Sequence, residues 1–150
     1  MMRPFVVRLL LCAIVASASL WMAVSPLQAE DLVRPPAVPL VACDPYFSIW
    51  SQTDCLTDGN TTHWTGKPHP LAGLVRVDGA SFRLMGTQPV DAPALKQTVV
   101  RVLPTRTIYE FEGPGVAVTL TFTTPALPED MDLLSRPVTY LTTDVRATDG

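Results

Sequence analysis

Short stretches in which apolar and polar residues alternate recur along the second half of the chain. The clearest is VAVTLTFT at positions 116–123, where the valines, Leu120 and Phe122 share one side and the threonines share the other. A period of two is typical of a β-strand that buries one face. Similar runs predict further strands at Leu71–Val77, Ser81–Met85, Leu95–Leu103, Thr107–Glu112 and Val138–Arg146.

The connections between these runs favour antiparallel pairing. Asp78-Gly79 separates two of them and is a strong signal for a two-residue β-hairpin, because glycine adopts positive φ at little cost. Helical patterns are scarce, with room for one turn between Pro128 and Ser135. The sequence therefore predicts an all-β fold, an antiparallel β-sandwich. The last predicted strand has no partner after it, so we expect a sandwich that is incomplete at its C-terminus, at the start of a longer protein.

The N-terminus has the features of a secretory signal peptide over residues 1–29. Arg3 and Arg8 precede an apolar core at 9–22, and a small residue, Ala29, ends the segment. A transmembrane anchor is the alternative, but the apolar core is shorter than the roughly 20 residues that a bilayer requires, and no positively charged stop follows it. We therefore expect a secreted or periplasmic protein with no membrane contact after cleavage.

The rest of the chain divides into three segments by composition. Residues 30–42 are rich in proline and predict an extended arm, residues 43–94 form an N-terminal segment with an aromatic loop, and residues 95–150 begin the main β-sandwich. Without the signal peptide, nine basic residues remain against fourteen acidic ones, a net charge of −5. A mildly acidic surface without a basic cluster disfavours nucleic acid and anionic membranes as partners.

The stretch 43–66 places large aromatic rings beside residue types that perform acid–base chemistry. Its candidate residues are Asp44, Tyr46, Trp50, Asp58, His63 and Trp64. A carboxylate and an imidazole exchange protons near neutral pH. However, Asp44 before Pro45 and Asp58 before Gly59 are also typical of turns, and sequence spacing does not show that these groups meet. We therefore predict no catalytic residue here, and a substrate or interdomain contact instead.

Tyr46, Trp50 and Trp64 also have the flat apolar faces that stack on sugar rings. Packing in a core or at a domain boundary is the more common role of such rings and is favoured. The sequence has no glycine-rich phosphate loop and no serine-nucleophile motif. Cys43, Cys55, His63 and His69 have the residue types of a zinc site but match no zinc-binding spacing. We predict neither a metal nor a cofactor.

Two cysteines, Cys43 and Cys55, follow the signal peptide. Export to an oxidising compartment permits a disulfide between them, and closing a loop of this size contributes roughly 3 kcal/mol in the chain-entropy model. One buried thiol and one surface thiol explain the sequence equally well, and the spacing does not choose between the two.

Two long strings resemble the N-terminal portion of secreted glutaminase A-like proteins. The first is DPYFSIWS at 44–51, with RPPAVPL at 34–40 before it and HWTGK at 63–67 after it. The second is LPEDMDLLSRPVTYL at 127–141. The likeness extends over residues 34–150, and both strings are long enough to be specific.

This resemblance implies a protein of several hundred residues, with a glycoside-hydrolase-like β-sandwich first and a helical toroid after it. The first part of such proteins is usually described as an uncharacterised domain, and the family name implies hydrolysis of the amide C–N bond of glutamine. No catalytic residue carries over. The chain is then a non-catalytic portion, inactive alone, that contacts the helical domain of the same polypeptide through Trp50, His63 and Trp64. A carbohydrate-binding module is the alternative, so the small-molecule partner is either an amide or a carbohydrate.

Overall fold

A computed structural model describes residues 34–149 of the chain. The predicted signal peptide, 1–29, and the beginning of the predicted arm lie outside these residues. The described residues form an all-β antiparallel fold, which confirms the predicted fold class. Its elements are β1 Val38–Ala42, β2 Ser48–Ser51, β3 Gly73–Val77, β4 Ala80–Met85, β5 Lys96–Leu103, β6 Arg106–Gly113, β7 Val116–Thr123, α1 Met131–Leu134 and β8 Tyr140–Ala147. Within 34–149, no helix is long and apolar enough to cross a membrane.

The strands form three antiparallel sheets. β1 pairs with β2, β3 pairs with β4, and β5 to β8 form a four-stranded sheet in sequence order. The β6–β7 ladder runs without a bulge from Arg106↔Thr123 to Gly113↔Val116. Along β7, buried residues alternate with half-buried ones, because only one face of the sheet points into the core. The predicted alternation over 116–123 is therefore confirmed at both ends of the strand.

The turn between β3 and β4 has the geometry that its two residues predict. Asp78 has φ of 48° and Gly79 has φ of 86°. Positive φ at both central residues is the requirement of a type I′ turn, which matches the right-handed twist of the flanking strands. This hairpin, β3 Gly73–Val77 with β4 Ala80–Met85, confirms the interpretation of Asp78-Gly79.

The hydrophobic core includes residues from all three sheets, as a sandwich-like layering requires. Its members are Val38, Leu40, Leu56, Leu84, Met85, Leu95, Tyr109, Phe111, Val116, Val118, Leu120 and Phe122. The Tyr109 ring stacks near Phe111 and meets the Phe122 ring edge-on, with centroid distances of 6.4 and 6.3 Å. Aromatic pairs in these geometries stabilise a core beyond their buried area.

Tyr109 brings a polar group into this core. Its hydroxyl is buried and has no hydrogen-bond partner of normal geometry. Burial raises the pKa of Tyr109 to about 12, and the nearby Ser51 hydroxyl and Arg34 guanidinium only partly oppose that rise. The neutral phenol is therefore the form that the folded state favours.

The proline-rich segment 30–42, predicted as an extended arm, contributes a core strand over its second half. Val38 and Leu40 in β1 are 0% and 3% exposed, so their burial outweighs the interruption by prolines. Pro39 fits because β1 has a single partner strand among the described residues, which leaves room for a residue without an N–H. The Pro39 carbonyl accepts a hydrogen bond from the Thr107 hydroxyl at 2.6 Å, which ties β1 to β6.

Candidate functional site

The turn between β1 and β2 is held by the side chain of Asp44. Its Oδ1 accepts hydrogen bonds from the backbone N–H groups of Tyr46 at 2.7 Å and Phe47 at 2.9 Å. An aspartate that bonds to the backbone two and three residues later is a common turn device. The turn directs Tyr46 away from the protein, where the residue is 92% exposed. The carboxylate of Asp44 therefore has a structural task.

His63 is buried beside this turn and uses both of its ring nitrogens. Nε2 lies 3.1 Å from the carbonyl oxygen of Pro45, and Nδ1 lies 2.8 Å from the hydroxyl of Thr65. A carbonyl oxygen can only accept, so Nε2 carries a proton. Nδ1 also accepts a hydrogen bond from the backbone N–H of Thr65 at 3.3 Å, which makes it the acceptor nitrogen. The same Pro45 oxygen also accepts from the indole Nε1 of Trp64 at 2.7 Å. The imidazole therefore fastens the 63–67 loop to the β1–β2 turn.

These contacts create an open cleft of about 530 Å³, bounded by the two loops. Its lining residues are Pro45, Tyr46, His63, Trp64, Thr65, Lys67 and His69. The ring of His63 is 5.6 Å from that of Trp64 and 5.7 Å from that of His69, measured between centroids. Trp64 is 59% exposed. We call the exposed rings of Tyr46, Trp64 and His69 the aromatic shelf.

The structure brings together only part of the predicted set. Tyr46, His63 and Trp64 line the cleft, and Asp44 holds the turn that carries Tyr46. Asp58 does not line the cleft, and its N–H closes a turn by donating to the carbonyl oxygen of Cys55 at 3.1 Å. No carboxylate is among the seven lining residues.

Trp50 occupies a different environment from the other two rings of the predicted sugar-binding set. It lies in β2, and its backbone N–H and carbonyl both bond to Thr62, at 2.7 and 3.0 Å. The side chain is half-buried, and its indole Nε1 is buried without a hydrogen-bond partner. Trp50 does not line the cleft, and its half-buried ring is not part of the exposed aromatic shelf.

Sequence reasoning missed Thr65, Lys67 and the carbonyl of Pro45. A backbone carbonyl carries no residue-type signal, and the contact to His63 spans eighteen positions. The His63–Thr65 bond spans only two positions, and a hydroxyl this close to an imidazole is a local signal that could have been used. The backbone carbonyl oxygen of Lys67 accepts a hydrogen bond from the backbone N–H of His63 at 2.8 Å, which closes the loop.

Cys43 and Cys55 are separate thiols in the structure, so the disulfide that their spacing allowed is not formed. The Sγ of Cys43 lies 3.4 Å from the hydroxyl of Thr139. Burial, with help from the carboxylates of Asp58 and Asp54, raises the pKa of Cys55. A thiol with a raised pKa is mostly protonated at neutral pH and is a poor nucleophile.

Residues 34–149 contain no group of three or more His, Cys, Asp or Glu side chains placed to hold a metal ion. The cleft instead offers exposed rings, one lysine and hydrogen-bonding groups that are already engaged with the protein. Such an arrangement defines a β-sandwich-like module with exposed aromatic side chains at one cleft.

Comparison with known proteins places this module in a family. Residues 8–97 match the family model described as domain of unknown function DUF4964, and residues 105–150 match domain of unknown function DUF5127. The chain belongs to the DUF4964 family. It is 32% identical over 127 residues to Glutaminase A of Aspergillus oryzae (strain ATCC 42149 / RIB 40), an alignment that covers 78% of this chain.

The same alignment covers 18% of the Aspergillus protein, so the chain spans about a fifth of the length of this relative. No solved structure matches the chain. The family matches and the relative confirm the resemblance drawn from the two sequence strings: the chain is an N-terminal region of the glutaminase A-like family.

Proposed function

We propose that this chain is the non-catalytic β-sandwich portion of a secreted glutaminase A-like amidohydrolase, and that its aromatic shelf packs against the helical catalytic domain of the same polypeptide. One observation carries the proposal. Tyr46 and Trp64 are 92% and 59% exposed, and the indole of Trp64 is held in place by its hydrogen bond to the carbonyl oxygen of Pro45. Export is supported by the signal-peptide pattern of residues 1–29.

The hydrogen bonds around the shelf support a non-catalytic role. A general base needs a free acceptor within reach of the proton that it removes. Nδ1 of His63 accepts from Thr65, and its Nε2 donates to Pro45, so neither nitrogen is directed at a bound substrate. Oδ1 of Asp44 already accepts hydrogen bonds from two backbone N–H groups. The two residue types that first indicated acid–base chemistry are thus used to build the turn and the loop.

The exposed rings support a contact role. Tyrosine and tryptophan supply large rigid contact areas at low entropic cost and are enriched at the centres of protein interfaces. Trp64 is already fixed by its bond to the Pro45 carbonyl, so little side-chain freedom is lost when a partner covers it. Lys67 lies at the same cleft and adds a positively charged side chain to its lining.

Binding in trans tests the proposal. The partner is Glutaminase A of Aspergillus oryzae, expressed without the stretch that aligns with this chain. We expect the purified chain to bind it, and Trp64→Ala to weaken the affinity by about tenfold or more, the range of interface hot spots. Arg76→Ala, at an exposed position of the half-buried strand β3, is the control and should bind like the unmodified chain.

The absence of any binding, or equal weakening by Trp64→Ala and Arg76→Ala, would contradict the proposed contact. Circular dichroism melts of the three proteins are the control for folding: a loss of affinity is assigned to the shelf when the variant melts like the unmodified chain.

A carbohydrate-binding module is the second candidate, because the large exposed rings of Tyr46 and Trp64 lie beside the polar side chains of Lys67 and His69 at one open cleft. Aromatic platforms flanked by polar groups suit sugar rings. Titration with a panel of soluble polysaccharides separates the two candidates. Saturable binding that Trp64→Ala abolishes favours the module, and an absence of binding across the panel favours the protein contact.

A further inference from the structure

The strand β8 carries an apolar row that should belong to the core but is exposed. Residues that are directly paired in an antiparallel ladder point to the same face of the sheet. Phe122 pairs with Leu141 and Val118 pairs with Val145. Phe122 and Val118 are 3% and 1% exposed, whereas Leu141 and Val145 are 50% and 58% exposed. The buried face of the sheet therefore continues onto β8 without a cover.

The opposite row of β8 is different in character. It consists of Tyr140, Thr142, Asp144 and Arg146, which pair with Thr123, Thr121, Thr119 and Ala117 of β7. Both charges of the strand are on this outer row. The strand thus has the apolar-in, polar-out alternation of a half-buried strand, although all eight of its residues are exposed.

The free edge of β8 lacks the features that usually protect sheet edges. Within residues 34–149, β8 pairs with β7 alone, through eight pairs without a bulge. The strand contains no proline and no charge on its inner row. Natural edge strands are generally shortened, bulged, or marked with inward charges or prolines, because a flat edge accepts another strand.

We propose that β8 receives a further β-strand: an extended segment of the larger glutaminase-like polypeptide, with apolar side chains at alternate positions. Added along the free edge, its inner side chains would flank Leu141 and Val145 and extend the core row, and its outer side chains would meet Asp144 and Arg146. The length of the Aspergillus relative, of which this chain aligns with 18%, supports polypeptide of the same protein as the source. The inference depends on the β7–β8 register and not on the aromatic shelf.

Hydrogen exchange on the purified chain tests this proposal with a peptide probe. The probe is a capped eight-residue peptide with valine at alternate positions and threonine or lysine between them. The control peptide has the same composition with its valines grouped together. At saturating probe, amide exchange across 140–147 should slow by about tenfold or more, because an added strand bonds the free edge. The control peptide should not slow it.

Two variants on the same strand locate the binding row. Val145→Lys puts a charge on the inner row and should abolish the protection by the probe. Thr142→Lys puts the same charge on the outer row and should leave the protection in place. Neither change removes a buried side chain, since both positions are exposed in β8, so both variants should melt like the unmodified chain.

Three results would overturn the proposal. They are an absence of protection at saturating probe, equal protection by the control peptide, and retained protection in Val145→Lys. A fourth result also contradicts it: slow exchange of 140–147 without probe that depends on protein concentration, because a second copy of the chain would then occupy the edge. None of these results bears on the binding of Trp64 to the helical domain, so this inference and the proposed function fail separately.

Discussion

Nε2 of His63 donates a hydrogen bond to the carbonyl oxygen of Pro45, eighteen positions earlier in the chain, at 3.1 Å. This bond joins the loop that carries Trp64 to the turn that carries Tyr46. The imidazole therefore links the two loops, and this link positions the residues of the aromatic shelf.

Replacing His63 should destabilise the protein. His63→Ala removes the bonds to Pro45 and Thr65 from a buried position, and we expect the free energy of unfolding to fall by about 1–3 kcal/mol. His69→Ala is the matched control, since the His69 side chain is exposed at the same cleft, and it should change stability by less than about 0.5 kcal/mol. Urea unfolding followed by circular dichroism measures both. Equal losses of stability in the two variants would contradict the role of His63 in linking the two loops.

The two tryptophans of the 43–66 stretch should differ in their contribution to stability. Trp64→Ala removes a 59% exposed side chain and should cost less than about 1 kcal/mol. Trp50→Ala removes a half-buried ring from β2 and should cost about 2 kcal/mol or more. The same urea experiment compares them. A larger loss for Trp64→Ala would mean that the shelf is part of the core.

Tyr109 should make the protein sensitive to alkaline pH. Its folded-state pKa is about 12, above the unfolded value of about 10, so the unfolded chain releases the proton first as pH rises. The contribution of protonated Tyr109 to the free energy of unfolding is therefore fully present below about pH 10. Between about pH 10 and 12 the free energy of unfolding should fall, by about 2 kcal/mol near pH 11.5.

Unfolding measured at about pH 9 and about pH 11.5 tests this expectation. Tyr109→Phe should lose that part of the decline and should be no less stable at the lower pH, because it removes a buried hydroxyl without a partner. Tyr140→Phe, at an exposed position, should retain the full decline. An identical pH profile for all three proteins would show that the Tyr109 hydroxyl is solvated in the folded state.

The two cysteines should be recovered unpaired. We expect peptide mapping without reductant to return Cys43 and Cys55 on separately alkylated peptides. Because the pKa of Cys55 is raised, its alkylation at neutral pH should be slower in the folded protein than in urea, and should accelerate as pH increases. A disulfide-linked peptide from the untreated protein would contradict the structure at this point.

The strands could be predicted because a strand that is buried on one face has apolar residues at alternate positions in the sequence. In β7 every second residue is apolar, and the structure begins and ends this strand where the alternation does. β1 has no such alternation, since Pro39 interrupts it and Pro35 and Pro36 come just before it. Its position depends on contacts such as the Thr107–Pro39 bond, which spans 68 residues.

The sequence predicted which segment of the chain contains the site, but not how the side chains of that segment are arranged. The residue types of the 43–66 stretch indicated where contacts concentrate, but not which rings face solvent. Tyr46 is exposed on the turn that Asp44 closes, and Trp50 is half-buried in β2, where its backbone pairs with Thr62. Both outcomes depend on backbone geometry, which residue type alone does not specify.

Ammonia release from glutamine by the purified chain tests the central claim most directly. In the proposed function His63 and its neighbours build a contact surface and perform no chemistry, so the chain should release no ammonia above the buffer blank, with or without His63→Ala. Turnover by the unmodified chain that disappears in a correctly folded His63→Ala variant would contradict it.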